Sequence, residues 1–169
     1  GSGVPDGAAG AAVRLLENMT GTKTHLDQGQ WMFYHFLTRR VSDKSSELDW
    51  ITRDKDKIEY YKSDPLGNFA FTSGAYRDLV RLLSEVSKRE WAYSLPKNLP
   101  VMLMSGEEDP IGDFGKGVRK VYGRLKKAGM ENVSVRMYID ARHELINEIN
   151  RQEVYEDILQ WTEKVLKAR

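Results

Sequence analysis

Two kinds of apolar spacing divide the chain. Spacing by three and four marks a helix with one buried face, and a short unbroken apolar run marks a strand covered on both faces. Residues 6–20 have the first pattern, with Asp6 as N-cap and Ala9, Val13, Leu16 and Met19 on overlapping faces. Residues 30–39 are crowded with aromatic side chains, and a helix so apolar on several sides is expected to be buried or to face an apolar ligand. Residues 41–57 turn polar, leaving Trp50-Ile51 as one pair expected to be buried. Residues 54–62 predict a short helix closed by Ser63-Asp64-Pro65 and Gly67. Residues 73–88 predict a longer one, capped by Thr72 or Ser73, with Tyr76, Leu79, Val80, Leu83 and Val86 as its apolar stripe.

The pattern then changes. Leu99–Gly106 is nearly all apolar, as a strand buried on both faces would be. Residues 115–128 predict a helix with Val118, Val121, Tyr122 and Leu125 on one face and Gly129 as its stop. Val133–Ile139 reads as the next strand. Asn150 and Glu153 suit a capping box that opens a last helix burying Val154, Ile158, Trp161 and Val165. Its terminal Lys164, Lys167 and Arg169 suit the negative helix end.

Residues 99–166 therefore read β-α-β-α, an α/β arrangement with a right-handed parallel crossover. Two parallel strands make little sheet, and both of their faces need cover. The chain is expected to be the second part of a larger fold, with apolar edge left open to self-pairing or aggregation.

Asp109 follows the first strand and His143 follows the second. Parallel pairing would set them at the carboxyl edge, where open α/β sheets place their sites. Each has a plain reading alone: Glu107, Glu108 and Asp109 as a solvated acidic turn, and His143 as a turn histidine paired with Glu144. Strands joined by a short crossover are usually neighbours, about 4.8 Å apart. Together the two residues read as the acid and base of a hydrolytic triad, with Pro110 fixing the direction of the acid. The acid precedes the histidine, as in the order serine, acid, histidine. No Gly-x-Ser-x-Gly turn is present: Ser73 lacks the first glycine, Ser105 sits in a strand end, and Ser2 has no strand before it.

Composition narrows the chemistry. The chain has 169 residues, 40% hydrophobic and 30% charged, with 26 basic and 25 acidic residues and a formal net charge of +1. Such a balance gives no footprint for nucleic acid. It has no cysteine, which removes thiol chemistry and disulfides, and its histidines (His25, His35, His143) lack metal-ligand spacing. Neither a metal nor a cofactor is expected. The acidic cluster Glu107, Glu108, Asp109 and Asp113 offers a weak alternative as a site for a hard cation. Asp113-Phe114-Gly115 matches a kinase triplet without its other parts, and the glycines of residues 112–117 read as a helix start rather than a phosphate loop. No apolar run approaches the ~18 residues of a membrane span. The first residues lack a signal-peptide pattern, so a cytoplasmic protein that visits membrane surfaces is expected.

Several words of the chain, taken in order, resemble one family. They are Leu48-Asp49-Trp50-Ile51-Thr52-Arg53-Asp54, then Asp64-Pro65-Leu66-Gly67-Asn68-Phe69-Ala70-Phe71-Thr72, then Leu99-Pro100-Val101. Ser105-Gly106-Glu107-Glu108-Asp109-Pro110-Ile111-Gly112, Gly115-Lys116-Gly117-Val118, Tyr138, Arg142-His143-Glu144, Asn147-Glu148 and Trp161 complete the series. Over residues 47–161 the chain resembles the α/β-hydrolase subfamily of monoacylglycerol lipases, lysophospholipases and serine aminopeptidase-like hydrolases. The resemblance implies a helical cap over residues 1–68 and the carboxyl-terminal half of the hydrolase core over residues 69–169. It implies Asp109 as triad acid and His143 as triad base.

The same resemblance implies a serine acyl-enzyme that cleaves carboxylic esters, of monoacylglycerol or lysophospholipid type. The nucleophile and oxyanion hole would lie in an amino-terminal half supplied in cis or in trans. This chain alone would be inactive. Trp31, Phe33 and Phe36 of the aromatic stretch are candidates to line an apolar acyl site, or else they form cap core or surface that packs on the missing half. The competing reading is a non-catalytic module, a hydrolase half that forms a homo-oligomer or binds an apolar ligand.

Overall fold

The computed structural model describes residues 18, 21–25, 34–67, 69–88 and 90–168. The helix expected over 6–20 lies outside these residues apart from residue 18, as do Trp31 and Phe33.

Residues 34–38 are helical. Helix α1 spans Lys55–Ser63 behind Asp54, whose carboxylate accepts from the Asp56 and Lys57 N–H groups. Helix α2 spans Ser73–Ser87, and the Thr72 hydroxyl accepts from Ala75 N–H at 3.2 Å. A 3-10 turn, Glu90–Ser94, leads to strand β1, Val101–Gly106. Helix α3, Lys116–Lys127, crosses to strand β2, Val133–Tyr138. A second 3-10 turn, Leu145–Asn147, precedes helix α4, Arg151–Lys167.

The two strands pair in parallel, from Val101 opposite Val133 to Gly106 opposite Tyr138. The chain is thus α/β where the spacing predicted it, and both strand ends arrive at one edge. Helix α3 stops as expected: Gly129 has φ +84°, and the N–H groups of Gly129 and Met130 donate to the Lys126 and Leu125 carbonyls. This is the paired bond of a Schellman stop, which satisfies carbonyls the helix end would orphan. Two small cores result. Ala92, Leu125, Ala128 and Met130 fill one, and Tyr138, Ala141 and Val154 fill the other.

Burial departs from expectation in three places. In β1, Val101–Met104 are only half-buried, and fully buried residues begin at Ser105. The stripe of α2 stands open, with Leu79, Leu83 and Val86 at 39%, 51% and 53% exposure. In α4 only Val154 is buried, while Ile158 and Leu159 face solvent. The cause is common to all three: two strands cannot cover the faces that three apolar elements present. Around the expected buried pair, Trp50 and Ile51 are half-buried, and it is the polar Asp49 and Thr52 that are fully enclosed. Asn150 makes no capping bond to backbone; its amide donates to Glu153 and its carbonyl accepts from Arg53.

Candidate active site

Parallel register delivers Asp109 and His143 to the same edge, and backbone contacts lock them there. Gly106, at the end of β1, lies so close to the next turn that an added Cβ would collide with the Ala141 carbonyl oxygen. Only glycine permits that approach. Around it the Glu107 and Glu108 N–H groups donate to the Tyr138 and Ala141 carbonyls at 2.9 and 3.0 Å. The acidic turn and the histidine turn are therefore one unit.

Within it, His143 Nδ1 lies 3.1 Å from Asp109 Oδ1. A carboxylate only accepts, so Nδ1 carries the hydrogen and Nε2 keeps the lone pair of the neutral ring. The Asp109 side chain is 9% exposed and the imidazole 37%. Asp109 is held in turn: Ile111 N–H donates to its Oδ1 at 2.9 Å, and Phe114 N–H donates to its backbone carbonyl at 2.8 Å. A Cβ on Gly112 would come within 2.9 Å of Asp109 Oδ2, so the turn closes tightly around the acid. Asp113, Phe114 and Gly115 all have positive φ, and Gly115 forms the N-cap of α3. The glycines read as a helix start do serve that purpose. The hydrogen bond to Asp109 raises the His143 pKa above its ordinary value; burial opposes this, and the charges of Asp109 and Glu144 add to it.

A second layer holds the histidine from behind. Arg142 is buried, and its guanidinium donates to the carbonyls of Asp49 and Thr52 and to the Asp43 carboxylate. Glu144 N–H donates to the Ile51 carbonyl at 2.8 Å. The Glu148 side chain is fully enclosed and bridges the two segments. It accepts from Arg53 Nε at 2.8 Å, Arg53 N–H at 3.2 Å, Arg142 N–H at 2.8 Å and Ile149 N–H at 3.2 Å. A carboxylate so buried is tolerable because its acceptor sites are filled by donors, one of them a cation. The Asp49 carboxylate is met by Ser45 N–H, Ser46 N–H and Lys55; these outweigh its burial and hold its pKa below the ordinary value. Burial and the Glu144 carboxylate push the Tyr61 hydroxyl up to about 12, and that hydroxyl donates to Glu144.

Trp50 completes the surround. Its ring centroid is 5.3 Å from the imidazole of His143 and 6.2 Å from the ring of Tyr34. In the sequence Glu148, Arg53, Arg142 and Trp50 all belong to the family resemblance, and Trp50 is also expected in the core; none of the four has a site role there. Phe36 is 53% exposed, with the Arg39 guanidinium 4.1 Å from its ring centroid.

The serines considered as nucleophiles are placed as follows. Ser73 is enclosed and donates to the Gly21 carbonyl, Ser105 is buried and donates to the Gly106 carbonyl, and Ser2 lies outside the described residues. Among the described residues, no three His, Cys, Asp or Glu side chains gather as a metal site. Nor is any described helix long and apolar enough to cross a membrane. Among the described residues a cavity of about 690 Å³ opens at the opposite end of the strands, between Leu99, Pro100, Val133 and Trp161. It is a gap in the cover of the sheet and lies away from the pair.

The fold and this edge define the α/β-hydrolase class. Residues 8–150 match the family described as Serine aminopeptidase, S33, and the chain belongs to that family. It is 30% identical over 138 residues to the monoglyceride lipase of Saccharomyces cerevisiae, covering 76% of this chain and 42% of that protein. It is 24% identical over 126 residues to the monoacylglycerol lipase of Mycolicibacterium smegmatis, covering 74% of this chain and 42% of that protein. A thermostable carboxyl esterase from Bacillus coagulans, solved with glycerol, superimposes with a TM-score of 0.81 at 24% identity, covering 94% of this chain and 52% of its own. The chain therefore spans about half the length of the relatives it matches.

Proposed function

We propose that this chain carries the acid and the general base of a serine hydrolase that cleaves carboxylic esters of monoacyl lipids. One observation carries the reading: His143 Nδ1 is 3.1 Å from a nearly buried Asp109 carboxylate, at the carboxyl edge of a parallel strand pair. In the reaction, His143 Nε2 takes the proton of a serine hydroxyl as that oxygen attacks the ester carbonyl. The imidazolium returns the proton to the departing glycerol oxygen, leaving an acyl-enzyme. Water then attacks, with Nε2 again accepting the proton. Asp109 keeps the ring in the Nδ1–H form and stabilises its positive charge. The serine and the oxyanion donors belong to an amino-terminal half, joined in cis or in trans, and no cofactor takes part.

The names of two relatives, a monoglyceride and a monoacylglycerol lipase, support the substrate class. The acyl site is assigned to the cap over residues 1–68, for which Trp31, Phe33 and Phe36 remain the sequence candidates.

A fluorophosphonate probe, which labels only activated serines, tests this. Labelling is expected in a protein that joins this chain to a serine-bearing half, and none in the 169-residue chain alone. His143→Ala should abolish the labelling. Undiminished labelling of that variant would overturn the reading.

A second reading has its own support in the open stripe of Leu79, Leu83 and Val86. On that reading the chain is a non-catalytic module that pairs with another copy or holds an apolar ligand. Ester hydrolysis indifferent to His143 would favour it.

A further inference from the structure

Trp50 lies within a short stretch that is tied to the histidine turn on both sides of it. The Asp49 carbonyl accepts from the Arg142 guanidinium at 2.7 Å, and the Ile51 carbonyl accepts from Glu144 N–H at 2.8 Å. The residues between these anchors are Trp50 and His143, whose rings pack at 5.3 Å with their planes 43° apart. Neither ring can shift along the chain without breaking an anchor on each side. Tyr34 packs on Trp50 as well, at 6.2 Å and 42°. The indole is therefore in ring contact with both the helical segment at residues 34–38 and the imidazole.

From this register we infer that Trp50 is a positioning residue for His143. Its indole, backed by Tyr34, holds the imidazole against Asp109 and keeps water off the bond between them. The inference rests on the reading of His143 as general base. A histidine ring has one soft torsion that swings it off its acceptor, and a flat neighbour of comparable size blocks that swing. The result is the Nδ1–H form of the ring, the only form that leaves Nε2 free to accept a proton. Two charged groups act on the ring, the carboxylates of Asp109 and Glu144. The Arg142 cation is drawn away to Asp43 and to backbone carbonyls. Electrostatics thus favours a proton on the ring without choosing its nitrogen. The direct bond chooses it, and Trp50 keeps that bond closed.

The experiment is nitrogen-15 NMR of the 169-residue chain as wild type, Trp50→Leu and Trp50→Phe. The spectra are taken above the His143 titration, where the ring is neutral. In the wild type, His143 is expected in the Nδ1–H form with that hydrogen exchanging slowly. In Trp50→Leu the exchange should quicken by about tenfold or more, and the ring should move toward the Nε2–H form, the preference of free imidazole. Trp50→Phe should keep most of the wild-type behaviour. His25 and His35 should be unchanged in all three, which separates a local effect from unfolding. If Trp50→Leu fails to fold, Tyr34→Ala takes its place and should give a smaller change of the same sign. An unchanged tautomer and exchange rate in the folded variant would overturn the inference. In a protein joined to the serine-bearing half, Trp50→Leu should lower kcat about tenfold, since small misplacements of a catalytic group are that costly, with little change in KM. Failure of the hydrolase reading would register separately, as ester hydrolysis that survives His143→Ala, and would leave the tautomer result standing.

Discussion

At the histidine edge, buried charges are matched one by one: Glu148 meets Arg53 and three backbone N–H groups, and Arg142 meets Asp43 and two carbonyls. Elsewhere, α2 holds Leu79, Leu82, Leu83 and Val86 out in solvent, and β1 leaves its first four residues half-covered. The same chain thus finishes one region and leaves the other open. Hydrogen bonds at the edge are local to this chain, since both partners of each are present. Apolar burial needs area from elements on every side, and the strand pair offers too little of it. The contrast is what a family member spanning about half the length of its relatives should show. The hydrogen bonds that hold Asp109 and His143 lie within this chain, while its apolar faces on α2 and β1 stay uncovered.

The largest expected effect lies at the edge. Glu148→Ala removes the carboxylate that four donors share, leaving Arg53 Nε and the N–H groups of Arg53, Arg142 and Ile149 without that acceptor. Breaking a buried pair from one side costs about 3–5 kcal/mol, measurable by urea unfolding. Next comes Gly106→Ala, which forces a methyl carbon against the Ala141 carbonyl. Overpacking of this kind costs about 1–3 kcal/mol. It should also part the two turns, so the His143 Nδ1–H signal should disappear.

The pH dependence gives a smaller and more specific effect. The His143 pKa is raised by Asp109, so its titration should centre above its ordinary 6.5. Asp109→Asn should bring it down. The sign for stability follows: the pair's contribution is complete below the ordinary imidazole value and fades as pH rises through the raised one. Activity runs the other way, because the base works only when neutral, so the rate should rise through that same raised midpoint. An NMR titration and a pH–rate profile that disagree on the midpoint would separate the pair from the reaction.

The smallest effect on stability should come from the uncovered face of α2. Leu83→Glu is expected to change unfolding free energy by no more than about 0.5 kcal/mol, because the side chain is already 51% exposed. The same change should reduce self-association in sedimentation. A loss comparable to that of Glu148→Ala would mean that α2 is covered in solution and that the contrast is false.

Much of the fold was legible in the sequence. The unbroken run ending at Gly106, the glycine stop at Gly129 and the threonine cap at Thr72 each depend on neighbours a few residues away, and each element lies where its pattern put it. The proximity of Asp109 to His143 was legible for a similar reason: two strand ends joined by one short crossover leave few alternatives. The brace was not legible. Glu148 and Arg53 are 95 residues apart, and nothing in a charged residue's surroundings in sequence shows that it will be enclosed. Trp50 was expected to be buried as core; its position on the imidazole depends on the register between residues 49–51 and 142–144, which no local pattern encodes. The burial of α2 was overestimated because periodicity shows which face wants cover and says nothing about whether cover is there.

Hydrolysis of a monoacylglycerol tests the central claim most directly, comparing wild type with His143→Ala in a protein that joins this chain to a serine-bearing half. The account predicts a fall in kcat/KM of about 10⁴-fold or more, the scale on which a triad member acts, with the circular dichroism spectrum unchanged. Hydrolysis within a few-fold of wild type in a folded His143→Ala variant would contradict it.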